Sequence, residues 1–329
     1  MQTQFQVSGD LAGLVRQYLQ QQNDCDWYLY LELESIAANN RITFERWWTI
    51  LEALQARYPN KNIALELGES VRPVHLGVLG YLVLACNTMA EALLEFQRYQ
   101  GLLHDGDRAQ ASTDGQLMTL SWSRHYQLSH VLSDQVLISG MVNFIRTMVG
   151  QSELKATTLC FSFPQPDGSQ DGYQSLCDEV LFDQPATSIC FPAEYVNWPI
   201  VNSDPDLKSL LQQQAKAMLA VLPQQDDLIV HLRDALLKAL HKGQATSGFV
   251  ATELRMSERT LFRRLQQYNF TFKQILAQTR TELAKEQLKS GQLTLAEIAL
   301  LLGYSEQSAF QRAFKREAGV TPRQYQNSH

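Results

Sequence analysis

No Cys-x-x-Cys pair occurs in the chain, and its five cysteines (Cys25, Cys86, Cys160, Cys177 and Cys190) are odd in number and widely spread. That spread argues against a disulfide framework or a zinc site and fits a reducing compartment. The thiols are expected to be small buried apolar groups. Long apolar runs are missing too. The longest, residues 76–86, has eleven residues, whereas a bilayer span needs about 20. It is expected inside a protein core, with no membrane partner. The first residues lack the basic start and apolar stretch of a secretory leader, so a cytoplasmic protein is expected. No Gly-x-Ser-x-Gly, phosphate loop or His-Glu-x-x-His is present, which removes the commonest hydrolase, nucleotide-binding and metalloprotease signatures. His125 and His130 stand five apart, off a common helical face, with no Cys/Asp cluster beside them. They are expected on the surface or in loops, with no metal, and no cofactor is implied.

What is present points to two domains. The chain has 329 residues, 45% apolar and 19% charged, too long for one compact core and too apolar for disorder. The net charge of −6 hides an asymmetry. Residues 224–329 carry 15 Lys and Arg against 10 Asp and Glu, a net of +5, while residues 1–223 carry 13 against 24, a net of −11. Only the second segment suits a polyanion. Residues 203–222 read as a helix opened by Ser203-Asp204-Pro205, and Pro223-Gln224-Gln225-Asp226-Asp227 breaks the pattern. The expected domains are 1–222 and 223–329, with the linker at 223–227.

Within the second domain one pattern occurs twice. Thr294-Leu295-Ala296-Glu297 is a capping box, in which the Thr hydroxyl caps a free helix N–H and Glu297 reaches back. Leu295, Ile298, Ala299 and Leu302 follow at helical spacing, and Gly303 suits a left-handed turn. Ser305 is the expected N-cap of a further helix with Ala309, Phe310, Ala313 and Phe314 inward, stopping before Gly319. The earlier copy runs from a helix at about 248–254, through Arg255-Met256 and the N-cap Ser257, into a helix at 258–268 with Leu261 and Leu265 inward. A connecting helix at about 272–290 ends at Gly291. Two helix-turn-helix units on a linking helix follow from this order.

The polar face of each second helix carries the chemistry. Arg259, Phe262, Arg263 and Gln266 point away from Leu261 and Leu265. Gln307, Ser308, Gln311, Arg312 and Lys315 point away from Phe310 and Phe314. Arg can bond guanine bidentately, Gln can bond adenine, and Phe can touch a thymine methyl, whereas Lys315 suits a phosphate. Double-stranded DNA is the partner this face fits. Arg280 falls on the apolar side of the linking helix, so it is expected either to snorkel to water or to pair with Glu297.

Met256-Ser257-Glu258-Arg259-Thr260-Leu261-Phe262-Arg263-Arg264-Leu265, the stretch from Ile298 through Gly303 and Ser305 to Arg316, Gly319-Val320-Thr321-Pro322 and Tyr325 together resemble the AraC/XylS family of bacterial transcription regulators. The match spans about 100 residues. The resemblance implies two recognition helices entering successive major grooves on one DNA face. It places Arg259, Phe262 and Arg263, then Gln307, Ser308, Gln311 and Arg312, where the family makes base and backbone contacts. Two positions depart from the family pattern. Asn269 stands where glycine is usual, and Asn is the next-best residue for a left-handed backbone. Phe262 is apolar where many relatives are polar, so packing on the linking helix is its alternative role.

Residues 1–200 read as α+β. Amphipathic helices are expected at 8–22, 43–58, 89–103 and 133–149, and strands at 118–122, 157–163 and 188–191. Gly77-Val78-Leu79-Gly80-Tyr81-Leu82-Val83, Ala90-Glu91-Ala92-Leu93 and the segment from Pro192 to Leu207 resemble the arabinose-binding-domain-like regulatory domain of one branch of the family. Arg41, Trp47, Trp48, His75 and Tyr99 are candidates for lining a small-molecule pocket, against a purely structural role for the tryptophans. The expectation is a non-enzymatic regulator: an α+β sensing or dimerisation domain, then an all-α DNA-binding domain. Its further partners would be a small-molecule effector, RNA polymerase or a second copy. The alternatives are a ligand-independent regulator and an enzyme fused to a DNA-binding module.

Overall fold

A computed structural model describes residues 5–24, 27–36, 40–122, 129–166, 172–222, 228–268 and 270–327. The chain divides into two compact units, residues 5–225 and 226–329.

In the first unit β1 (Gln6–Ser8) precedes α1 (Asp10–Gln21) and α2 (Trp27–Glu34), and β2 (Arg41–Thr43) returns antiparallel to β1. Thr43 then caps α3 (Phe44–Arg57) by accepting from the Arg46 N–H, as an N-cap threonine should. Trp47, Ile50, Leu51 and Leu54 recur at helical spacing along α3 and are all buried. They share one core with Leu14, Val15 and Leu19 of α1 and with residues of α4 (Ile63–Glu69). A second core lies between α5 (Gly77–Leu84), α6 (Met89–Tyr99) and a five-stranded sheet. Its strands are β3 (Ala109–Thr113), β4 (Leu117–Trp122), β5 (Ala156–Cys160), β6 (Cys177–Leu181) and β7 (Thr187–Pro192), in the order β3-β4-β7-β5-β6. Only the β5–β6 pairing is parallel. Along β4 the alternation buries Met118, Leu120 and Trp122, the period of a half-buried strand.

The long helix α7 (Val131–Val149) gives residues to both cores. It lies close against α4 because Gly68 has no side chain: a Cβ there would fall 1.9 Å from Ser139 Oγ. The Ser139 hydroxyl donates across that contact to the Ala64 carbonyl and, within α7, to the Gln135 carbonyl. α8 (Pro205–Val221) closes the unit, capped by Asp204 as its Ser-Asp-Pro start requires.

The expected helices at 8–22, 43–58, 89–103 and 133–149 and the three expected strands are present, although the third helix passes into a 3-10 turn at Gln100–Leu102 and β5 ends at Cys160. Cys86 and Cys177 are buried, but Cys160 and Cys190 are only half-buried, so the thiols are less uniformly core than expected. Cys25 and His125 lie outside the described residues.

The second unit is helical throughout its described residues. α9 (Leu228–His241) is followed by α10 (Ser247–Glu253), α11 (Glu258–Gln267), α12 (Phe272–Ser290), α13 (Leu295–Leu301), α14 (Gln307–Ala318) and α15 (Pro322–Asn327). The linking helix α12 ends at left-handed Gly291 as expected, and it opens on a capping box of Thr271 and Gln274 that was not expected. Thr294 and Glu297 form the capping box of α13. Phe310 and Phe314 of α14 pack with Ala284 and Leu288 of α12 and with Tyr325 of α15. Asn269 lies outside the described residues.

Candidate functional site

Each helix-turn-helix unit closes on the same three backbone hydrogen bonds. After α10 the Leu254, Arg255 and Met256 N–H groups donate to the Val250, Thr252 and Ala251 carbonyls. After α13 the Leu302, Gly303 and Tyr304 N–H groups donate to the equivalent Ile298, Leu300 and Ala299 carbonyls. The central residue is left-handed in both turns, Arg255 at φ 53° and Gly303 at φ 71°. Glycine suits the second turn doubly, because a Cβ would be strained at that φ and would stand 3.3 Å from Arg280 Nη2.

The units then diverge by one residue. Ser257 caps α11 through the Thr260 N–H, as expected. In the second unit the N-cap is Glu306, one residue after the expected Ser305, and its side chain makes no capping bond. The buried pairs Leu261/Leu265 and Phe310/Phe314 fix the register between the two helices. In that register Arg263 stands opposite Arg312, Arg259 opposite Ser308, Phe262 opposite Gln311, and Gln266 opposite Lys315. All eight face outward, Gln311 half-buried and the rest exposed, and Gln307 is exposed at the start of α14. Phe262 is 46% exposed, so it is not packed away on α12. Among the described residues, Arg259, Arg263, Gln266, Gln307, Arg312 and Lys315 make no side-chain hydrogen bond or ion pair, while Ser308 Oγ donates to Glu306 Oε2 at 3.1 Å. Two guanidiniums at matching positions, free of internal partners, form a surface ready to meet an acceptor-rich polyanion.

Two arginines hold the linking helix to its neighbours. Arg233 of α9 is buried and donates to Glu282 Oε2 at 2.6 Å and to Gln278 Oε1 at 3.0 Å, both on α12. Arg280 of α12 lies 4.6 Å from the Tyr304 ring centroid and points Nη2 at the Gly303 carbonyl at 3.4 Å. The Arg280–Glu297 pair considered above does not form. Glu297 accepts instead from the Thr294 N–H at 2.7 Å and from the Thr294 hydroxyl at 2.8 Å, and those two bonds hold its carboxyl below the usual range. The nearby aromatic ring gives Arg280 a third option beyond snorkelling or a carboxylate.

The first unit contains a cavity of about 1200 Å³, counting its open mouth. It is bordered by both cores: Leu14 and Trp47 on one side, Trp122 and Phe144 on the other. A smaller apolar hollow of about 670 Å³ shares Leu76, Phe96, Leu103, Met141 and Phe144 with it. Polar groups gather at one end of the larger cavity. Asp134 Oδ2 accepts from the Ser129 hydroxyl at 2.7 Å and from the Thr187 hydroxyl at 3.3 Å, and the Trp47 indole donates to Ser133 Oγ at 3.3 Å. The His104 ring also lines the space; burial, with Arg41 and Arg108 nearby, lowers its pKa to about 4. Trp122 is buried, and its indole N–H has no hydrogen-bond partner among the described residues.

Of the five residues expected to line a pocket, only Trp47 does so. Arg41 instead donates to the Gly101, Leu102 and Gln6 carbonyls, tying the β1–β2 pair to the turn after α6. Trp48 stacks on His130, centroids 5.4 Å apart. His75 is buried with Nδ1 accepting from the Arg72 N–H, and burial lowers its pKa to about 4. Tyr99 belongs to the sheet-side core. Each was a polar or aromatic residue with a local structural duty, which composition does not distinguish from a ligand contact. The lining residues Trp122, His104 and Asp134 were missed because they come from a strand end, a loop and a helix, with no shared sequence signature.

Comparison with known proteins agrees with this architecture. Residues 31–200 match the model of the arabinose-binding N-terminal domain of AraC transcription regulators, and residues 250–328 match a helix-turn-helix domain. The chain is 28% identical over 293 residues to the ornithine utilization regulator of Pseudomonas aeruginosa, covering 88% of this chain and 86% of that protein. It is 35% identical over 127 residues to the regulator VirS of Mycobacterium tuberculosis, covering 39% of this chain and 37% of VirS. Among solved structures, the regulator CdpR from Pseudomonas aeruginosa aligns over 87% of this chain and 98% of its own, at 21% identity and a TM-score of 0.37. With an arabinose-binding regulatory domain and a helix-turn-helix domain both matched, the chain belongs to the AraC/XylS family of transcription regulators.

Proposed function

We propose that this regulator reads DNA by laying α11 and α14 in successive major grooves. Arg263 and Arg312 then bond guanine edges, Gln307 and Gln311 read adenine, and Phe262 touches a thymine methyl. Arg259, Gln266, Ser308 and Lys315 anchor on the backbone. The observation that carries the reading is the matched pair of outward, internally unpartnered arginines at equivalent positions of α11 and α14. The function is binding without a catalytic step, in the bacterial cytoplasm. Salt dependence tests it: if about 6 phosphates are engaged, log K falls with log[salt] at a slope near −5, while a slope near −1 would mean that only one helix engages DNA.

The cavity of the first unit supports a second part of the reading. A small molecule held there changes DNA affinity by binding the DNA-competent and incompetent states unequally. Native mass spectrometry of the purified full chain, with and without an extract of the host, checks whether a small molecule is retained. A homodimer is the competing use of the first unit, favoured by Leu207 and Leu210 of α8, which are 44% and 65% exposed.

A further inference from the structure

The lining of the cavity narrows what kind of molecule fits it. Along most of its length the wall is aliphatic and aromatic, and the adjoining hollow is lined entirely by apolar side chains. A polyol such as a sugar would bury several hydroxyls there without partners, at an unfavourable free energy for each. Among the described residues, no lysine or arginine lines either hollow, while Asp107 and Asp134 do line the larger one. A carboxylate or phosphate head group would therefore lose its hydration and face like charge. An ammonium would also lose its hydration against the apolar wall, and the Asp134 carboxylate already accepts from two hydroxyls, those of Ser129 and Thr187. Two wall residues carry a buried ring nitrogen without a partner among the described residues, Trp122 Nε1 and His104 Nδ1, and of these the Trp122 indole can only donate. An unmet buried donor is unfavourable until an acceptor arrives.

We infer that the first unit binds an uncharged amphiphile, a molecule with an apolar chain or ring and one oxygen head that accepts from Trp122 Nε1. The chain lies along Phe96, Met141 and Phe144, where the two hollows meet. The His104 ring, uncharged at neutral pH, adds no charge that would favour an anion. This assignment rests on the reading of the cavity as an effector site and adds the chemical class of the effector.

Four probes of one size separate the classes: octanol, octanoate, octylamine and L-arabinose, each titrated against the full chain. Trp47 and Trp122 both border the cavity, so intrinsic tryptophan fluorescence reports occupancy directly. Octanol is expected to saturate the signal, with octanoate and octylamine at least tenfold weaker and arabinose silent. Trp122→Phe removes the donor and part of the ring; it should weaken octanol at least fivefold, read by calorimetry, while circular dichroism confirms that the fold survives the lost packing. Met141→Trp, which fills the junction of the hollows, should abolish the response, and its circular dichroism confirms that the fold survives. Tighter binding of octanoate, octylamine or arabinose than of octanol would overturn the assigned class, as would an unchanged octanol affinity in Trp122→Phe. An extract component that is retained and shifts DNA affinity while octanol does not bind would overturn the class and leave the effector reading standing. If no probe binds and no extract component is retained, both fall.

Discussion

The two reading heads share a backbone but are secured differently. The turn of the first tolerates an arginine in the left-handed conformation, while that of the second favours glycine more strongly because the Arg280 guanidinium crowds the adjacent space. α11 begins on a capping serine, whereas α14 begins on a glutamate that caps nothing. α9, ahead of the first head, is tied to α12 by a buried arginine that reaches a half-exposed glutamate, and the second head by an arginine lying on Tyr304. One architecture used twice thus fixes the spacing of turn and helix, while leaving each copy free to choose its own supports. The outward faces differ in the same way. Phe262 in the first stands where Gln311 stands in the second, so one head offers an apolar contact where the other offers a hydrogen bond.

The largest expected difference lies in the supports. Arg233→Ala removes its hydrogen bonds to Glu282 and Gln278 and should cost about 2 kcal/mol, measured by urea unfolding of the full chain. Arg280→Ala should cost about 1 kcal/mol, since a half-exposed cation–π contact is worth less than the two hydrogen bonds of a buried guanidinium. Adding Glu297→Ala to Arg280→Ala should be additive within about 0.5 kcal/mol, because the two side chains do not meet. A coupling above 1 kcal/mol would mean that Glu297 leaves its capping box to reach Arg280.

The turns come next. Gly303→Ala places a Cβ at positive φ against Arg280 and should destabilise by about 1–2 kcal/mol. Arg255→Gly relieves the same conformation in the first head and should be neutral or stabilising by up to about 0.5 kcal/mol. Equal effects in the two turns would erase the distinction between them. The smallest effect concerns the caps. Ser257→Ala should cost about 1 kcal/mol and Glu306→Ala almost nothing, a difference readable as a shift in the denaturation midpoint.

How much of this was legible in sequence depended on whether the signal was local. The paired units were readable because caps, left-handed glycines and inward Leu or Phe lie within a few residues of one another. Ser305 misled for the opposite reason: serine is a good cap in isolation, and only the longer turn after Gly303 moves the helix start to Glu306. In the first unit, α5 was missed because it is apolar all round and has no face to detect. β3 and β6 are edge strands with mostly exposed polar positions, so they lack the alternation that marked β4. The cavity was illegible for a further reason: its polar end unites residues from β4, β7, α7 and the loop after α6, and only the tertiary fold makes them neighbours.

The central claim is that both heads read bases, and one experiment addresses it most directly. A preferred duplex is selected from random sequences by the full chain. Binding of Arg263→Ala and Arg312→Ala is then measured on it, on each single base-pair variant and on random DNA. The account predicts that each mutant loses about 1–3 kcal/mol on the preferred duplex and relaxes preference at one base pair, the two positions lying about 10 base pairs apart. Lys315→Ala, a phosphate contact, should weaken all duplexes alike. Equal losses on preferred and random DNA for both arginine mutants would contradict the account.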